Sequence, residues 1–133
     1  MLIGELAAKT KLSRDTIRFY EKHGLIQKGE QKGRFNNYKD YPEETLQRLL
    51  VIKKIKRFGF TLNEISSLLD LIDINQATCK NVAEKFNEKI KLLDDKIQEL
   101  IAIKTTLIDG MMGCEGYNDP EKMEGNCGVL REG

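Results

Sequence analysis

From Cys79 to about Asp109 the chain runs without a glycine or a proline, and its apolar residues fall on alternating steps of four and three. Phe86, Ile90, Leu93, Ile97, Leu100 and Leu107 occupy that register, with Lys104 as a polar member. Run backwards, the same register takes in Ala83 and Cys79. A 4-3 alternation repeats every seven residues, the period that keeps one stripe of a helix turned towards a partner helix. Several heptads of this quality demand a long helix with its seam covered. No second helix of that length can be read in 133 residues, so the cover expected is another copy of the chain. A helix packed on a single-chain core is the alternative, and it lacks the partner it needs.

Upstream, turn residues and helical spacing cut the chain into shorter pieces. Ile3, Leu6 and Ala7 give a first amphipathic turn ending near Lys9. Ser13 reads as the N-cap of a helix over 14–22, with Asp15 and Thr16 in its first turn and Gly24 just past its end. Two helices about four residues apart, the second carrying Arg14, Arg18 and Lys22, match a helix-turn-helix. Residues 27–41 mix Gly29, Gly33 and Asn36-Asn37 with Lys28, Lys32, Arg34 and Lys39, flanked by Phe35, Tyr38 and Tyr41. That pattern predicts a small β-hairpin with basic edges, turning at Asn36-Asn37: a wing. Pro42 opens a third helix to about Arg57, with Leu46, Leu49, Leu50, Ile52 and Ile55 towards a core and Gly59 after it. Thr61 caps a fourth, with Glu64 at the capping-box position and Leu62, Ile65, Leu68, Leu69 and Ile72 apolar. Residues 73–78 read as a polar joint.

The formal net charge is only +1, with 40% hydrophobic and 32% charged residues, as in a folded soluble chain. That sum conceals a division. Residues 1–60 hold 14 Lys and Arg against 7 Asp and Glu, whereas residues 61–133 hold 8 against 14. A basic front and an acidic rear point to two jobs, the first suited to nucleic acid. No run of about 20 apolar residues could span a membrane. The start of the chain lacks the basic and apolar regions of a signal peptide, so a cytoplasmic, nucleoid-associated bacterial protein is expected. No nucleophile–base set, paired carboxylate cleft or phosphate-binding glycine loop is visible, which argues against an enzyme. The lone His23 reads as a capping or surface residue.

Three cysteines are too few and too unevenly placed for a disulfide framework. Cys79 opens the long helix and Cys114 lies just beyond its end; a helix of about 30 residues is roughly 45 Å long, so they cannot meet within one chain. If two such helices pair antiparallel, Cys79 of one chain comes beside Cys114 and Cys127 of the other, giving two symmetric three-thiolate sites per dimer. Three sulfur donors without a loop histidine suit thiophilic ions rather than magnesium or calcium. A tetrahedral zinc would want a fourth ligand from Glu115, Asp119, Glu121, Glu124 or water. The competing reading makes Cys79 a small seam residue and the tail thiols incidental. The glycine-rich tail over 110–133 cannot build its own core and is ordered only if something pins it.

With these residues in view, the chain resembles the MerR family of transcription activators, in its metal-sensing branch. The likeness runs through Ile3-Gly4-Glu5-Leu6-Ala7, Thr16-Ile17-Arg18-Phe19-Tyr20-Glu21-Lys22, Gly24-Leu25-Ile26, Leu46-Gln47-Arg48-Leu49 and Gly59-Phe60-Thr61-Leu62-Asn63-Glu64-Ile65. It departs in the wing, where Asn37-Tyr38-Lys39-Asp40-Tyr41 stands for the usual glycine-aromatic-Arg-x-Tyr, and Lys keeps the charge without bidentate geometry. The loop cysteines are also more widely spaced than in the mercury and zinc sensors.

The resemblance implies a mainly α fold: a winged helix-turn-helix DNA-binding head over 1–72, an antiparallel coiled-coil dimerisation helix over 79–109 and a metal-binding loop and tail over 110–133. It implies that Cys79, Cys114 and Cys127 are the metal ligands. A cysteine at the Cys79 position accompanies divalent ions in this family, which disfavours copper(I); three thiolates without a loop histidine then lean slightly to mercury, with lead, cadmium or zinc as alternatives. A homodimer is expected on double-stranded promoter DNA, with Ser13, Arg14 and Asp15 towards base edges or nearby phosphates. Arg18, Tyr20, Lys39 and Tyr41 are expected to hold the backbone, and Arg34 and Arg57 join on charge alone. The implied output is a metal-resistance or efflux operon, activated when metal binding distorts the promoter for RNA polymerase. A thiol redox sensor on the same fold, and an architectural dimer with no ligand, are the other readings.

Overall fold

The computed structural model describes residues 1–31, 38–114 and 116–130. Arg34, the Asn36-Asn37 turn and Glu115 therefore lie outside the described residues. Among those described, the order is α1 (Ile3–Thr10), α2 (Arg14–Lys22), β1 (Glu30–Gln31), β2 (Lys39–Asp40), α3 (Glu43–Arg57), α4 (Leu62–Asp73) and α5 (Cys79–Met112), with a single 3-10 turn at Gly128–Leu130. The chain divides into two compact units, Met1–Ala83 and Glu84–Gly133, so the first turn of α5 clusters with the head rather than with the rest of its helix.

The head's helix ends follow local chemistry. The Ser13 hydroxyl accepts from the Thr16 backbone N–H at 3.0 Å, and Thr61 with Glu64 forms a reciprocal capping box. At the end of α2, the N–H groups of Gly24 and Leu25 return to the carbonyls of Glu21 and Tyr20, at 3.1 and 2.9 Å. That double return needs a left-handed residue, and Gly24 supplies it with φ +76°. Asn75 plays the same part after α4 at φ 57°, which is how the polar joint over 73–78 begins.

Leu6 of α1, Ile17 of α2, Leu49 and Ile52 of α3, and Ile65 and Leu69 of α4 meet in a core from which water is fully excluded. Truncating one of these to alanine costs about 2–5 kcal/mol through lost burial and the cavity left behind. Two expected core residues face outwards instead. Leu50 is 39% exposed and Ile72 44%, because each lies at the margin of its helix's apolar stripe, beyond the last covering neighbour. Arg48 ties the layers together: its guanidinium donates to both Asp73 oxygens at 2.6 and 3.1 Å, while its Nε donates to the Leu25 carbonyl.

Among the described residues the expected small hairpin pairs Glu30 with Asp40 and Gln31 with Lys39, and Tyr41 lies in the core just after Asp40. Pro42 stands at the N-cap of α3 rather than in its first turn. Helix α5 runs to Met112, through Gly110, three residues past the expected Asp109. None of its residues is buried. Its seam residues Ile90, Leu93, Ile97, Leu100 and Leu107 are 47–69% exposed, an apolar stripe left open among the described residues.

Candidate nucleic-acid interface and thiolate loop

Helix α2 presents a basic outer face and an inner face closed by the wing. Arg14 opens the helix, and its guanidinium lies so near α1 that a side chain on Gly4 would come within 3.0 Å of it. Arg18 is exposed and reaches Asp15 at 3.3 Å, an i,i+3 pair of small energetic worth in water. The Ser13 hydroxyl is spent on the N-cap and on Thr16 Oγ1 at 2.8 Å, so its contribution to this face is the helix start it fixes. Arg57 is exposed in the last turn of α3, beside Lys54 and Lys56 in sequence.

Three expected backbone-holding residues are engaged within the head. Tyr20 and Tyr41 are buried, and Lys39 Nζ donates to Glu21 Oε1 at 2.7 Å. Glu21 is the residue that sequence reasoning passed over. Its side chain is 9% exposed, it accepts from the Gly29 backbone N–H at 3.4 Å, and the Tyr41 hydroxyl hydrogen-bonds to it. Burial alone would raise its carboxyl, but the hydrogen bonds from Lys39, Tyr41 and Gly29 outweigh that and hold it below the ordinary glutamate value. Burial, then the facing Glu21, push the Tyr41 phenol well above the ordinary tyrosine value. The signal for Glu21 was its spacing: four residues after Ile17, a carboxylate sits on the helix's buried stripe.

Gly29 makes the junction possible. A Cβ there would lie 2.7 Å from Lys39 Cβ and 2.9 Å from the Tyr41 ring. The root of β2 is also held from the N-terminal side: the Tyr41 N–H donates to the Met1 carbonyl, and the Met1 ammonium to Asp40 Oδ1, both at 2.7 Å. Arg14, Arg18, Lys39, Tyr38 and Glu21 line one cavity of about 200 Å³ between α2 and the wing.

The second unit carries Cys114 and Cys127. After α5, turns at Cys114–Tyr117, Gly116–Asp119, Asp119–Lys122 and Lys122–Gly125 fold the tail back on itself. The 3-10 turn at Gly128–Leu130 brings Val129 to α5 at Gly110, where an added Cβ would sit 3.9 Å from it. This return places Cys114 Sγ 3.5 Å from Cys127 Sγ, in a partly buried setting beside a concavity of about 860 Å³ that Glu121 also lines. Two thiolates sharing an ion at about 2.3 Å would stand roughly 3.8 Å apart, so the pair fits a common soft ion. Asp119 Oδ1 accepts instead from the Glu121 N–H at 3.1 Å. Cys79 is exposed at the start of α5. Among the described residues no three His, Cys, Asp or Glu side chains of one chain cluster as a metal site, and no helix is long and apolar enough to cross a membrane.

Comparison with known proteins agrees with this layout. Residues 1–72 match the model of the MerR HTH family regulatory proteins, and residues 46–109 that of the MerR DNA-binding region. A mercuric resistance operon regulatory protein of Bacillus cereus is 38% identical over 117 residues, 88% of this chain and 87% of its own length. The crystal structure of the transcription regulator PbrR691 from Ralstonia metallidurans, in complex with lead(II), is 34% identical with a TM-score of 0.76, covering 98% of this chain and 96% of that one. That of the dual-function regulator MerR from Bacillus megaterium, in complex with mercury(II), is 37% identical with a TM-score of 0.64, covering 90% of each.

Proposed function

Since the chain belongs to the MerR family of helix-turn-helix regulatory proteins, and so is a DNA-binding regulator rather than an enzyme, we propose that it is a homodimeric activator of a metal-resistance or efflux operon, responding to a thiophilic divalent ion. One observation carries the reading. The loop of a single chain brings two thiols together, at 3.5 Å, and the remaining cysteine lies at the far end of a helix with an uncovered apolar stripe. A second copy packed antiparallel along that stripe supplies both the missing cover and the missing donor: Cys79 of one protomer joins Cys114 and Cys127 of the other.

The donor set of three thiolates slightly favours mercury(II), with lead(II), cadmium(II) or zinc(II) as alternatives, and relatives solved with mercury(II) and lead(II) support a soft divalent ion. Cys79 of one protomer with Cys114 and Cys127 of the other would hold such an ion as thiolates, and a soft Lewis acid there would tie one protomer's loop to its partner's helix start. Arg14 and Arg18 on α2, with the wing, meet the promoter duplex. A dimer whose heads change their spacing with the sensor state can bend and underwind the DNA between two promoter elements for RNA polymerase. The energy of that distortion must come from a preference of one sensor state for the deformed DNA.

Complementation tests the shared site. Cys79→Ser and Cys114→Ser homodimers should each lose the three-thiolate sulfur-to-mercury charge-transfer band, while a heterodimer of the two variants regains one site. Absence of that band in the heterodimer would sink the cross-protomer assignment.

The same 3.5 Å approach favours a second reading, a dithiol redox sensor. A hydroperoxide would oxidise one thiol to a sulfenic acid, releasing an alcohol or water, and the second thiol would displace water to leave a Cys114–Cys127 disulfide. Activation by peroxide but not by metal, retained in Cys79→Ser, identifies that case.

A further inference from the structure

Glu21 is a carboxylate enclosed on the inner side of the DNA-facing helix, and the proposed mechanism leaves it without a task. We propose that Glu21 is a positioning residue for DNA binding, which locks the wing root onto α2 and holds the Lys39 ammonium at the protein rim to meet a phosphate. This rests on the DNA-binding reading above.

Groups from two separate stretches converge on this one side chain: the Gly29 N–H before β1, Lys39 Nζ on β2, and the Tyr41 hydroxyl just after β2. The described ladder pairs Glu30 with Asp40 and Gln31 with Lys39, and a two-stranded ribbon is marginal alone. The carboxylate adds a tie from the hairpin root to α2. It also places a charge. The Lys39 side chain is 49% exposed although its Nζ is bound to a carboxylate that is 9% exposed, and an ammonium has three donors. One N–H points inwards and the others remain for a phosphate, from a side chain whose freedom is already restricted. Arg14 and Arg18 line the same cavity, so the carboxylate also offsets the crowding of three cations. Among the described residues no other acidic side chain lines it, and Arg18 has its own partner in Asp15.

The experiment is a double-mutant cycle read in DNA affinity and its salt dependence, with full-length dimer and a duplex of the chain's own upstream DNA. Lys39→Gln should weaken binding about tenfold and lower the slope of log K against log salt by about 0.9, one phosphate contact. Glu21→Gln keeps the side chain's shape, removes its charge, and should produce the same loss and the same change of slope. The double variant should bind no worse than Lys39→Gln alone. Additive losses, or an unchanged slope in Lys39→Gln, overturn the proposal. Should Glu21→Gln fail to fold, Glu21→Asp, which keeps the charge but draws it back from Lys39, takes its place and should give a loss and a change of slope in the same direction. Wild-type protein that binds this duplex no better than unrelated DNA would instead refute the underlying DNA-binding reading. Mercury(II) binding at the cysteines should be the same in every variant, which separates a positioning role from general unfolding.

Discussion

A methyl group added at Gly116 would lie 2.5 Å from the Lys122 carbonyl oxygen and 2.9 Å from its carbon, backbone atoms that cannot swing aside. Gly116→Ala must therefore open the turn that brings Cys114 to Cys127. We expect metal affinity to fall at least about tenfold, in line with losses from displaced outer-shell support, with DNA binding by the head intact; competitive titration against a chelator measures it. Gly24 makes the opposite case. Nothing lies within 4 Å of a Cβ there, but φ is +76°, so Gly24→Ala should cost about 1 kcal/mol from backbone strain alone. A thermal melt lower by roughly 4–8 °C is the corresponding readout for a domain of this size. Glu21 sets a pH dependence. Its folded carboxyl titrates below the unfolded value of about 4.3, so its stabilisation is present above that pH and fades as pH falls through the depressed value. Glu21→Gln should flatten this acid limb of stability, followed by circular dichroism. Residues whose partners are near in sequence, such as Ser13 with Thr16 and Thr61 with Glu64, could be read from the chain. For Glu21 the chain marks the buried position but not the partner, since Lys39 is 18 residues away and arrives only when the wing folds.

At the scale of elements, hydrophobic period located the helices well and their surroundings less well. The span of α2 and the joint before α5 were legible because a cap, a glycine or an asparagine marks each end. Helix α5 overran its expected end because one helical glycine costs only about 1 kcal/mol, too little to stop a long helix. Leu50 and Ile72 were misassigned for another reason: spacing tells which residues share a stripe, not how far the neighbouring helices extend over it. The wing's aromatics pointed to a small hairpin, and what they did not tell is that Tyr41 serves the core and Lys39 serves Glu21. The stripe on α5 carries its own prediction. Leu93→Asp or Ile97→Asp places a charge in the middle of the proposed seam and should convert the dimer to monomer at micromolar concentration, as sedimentation velocity would show. A solvent-facing control, Lys96→Asp, should leave the dimer in place.

For the whole molecule, the fold and the family could be read from the sequence, and so could the candidate cysteines, because each rests on local pattern. The 3.5 Å approach of Cys114 and Cys127 could not, since it depends on turns that return the tail to Gly110. The charge division, 14 basic residues against 7 acidic up to residue 60 and the reverse bias after it, sits on the two ends of this functional division. Raising salt should thus weaken promoter binding steeply, while metal affinity, governed by soft covalent donors, should hardly move; paired titrations would test this. The bare seam of α5 has a last consequence, in mass action. A long helix with an uncovered apolar stripe draws its stability from whatever covers it, so folding and pairing share one equilibrium. Its melting temperature should then climb with the logarithm of protein concentration. Below some copy number per cell, dilution alone would dissolve the sensor before any ion reached it.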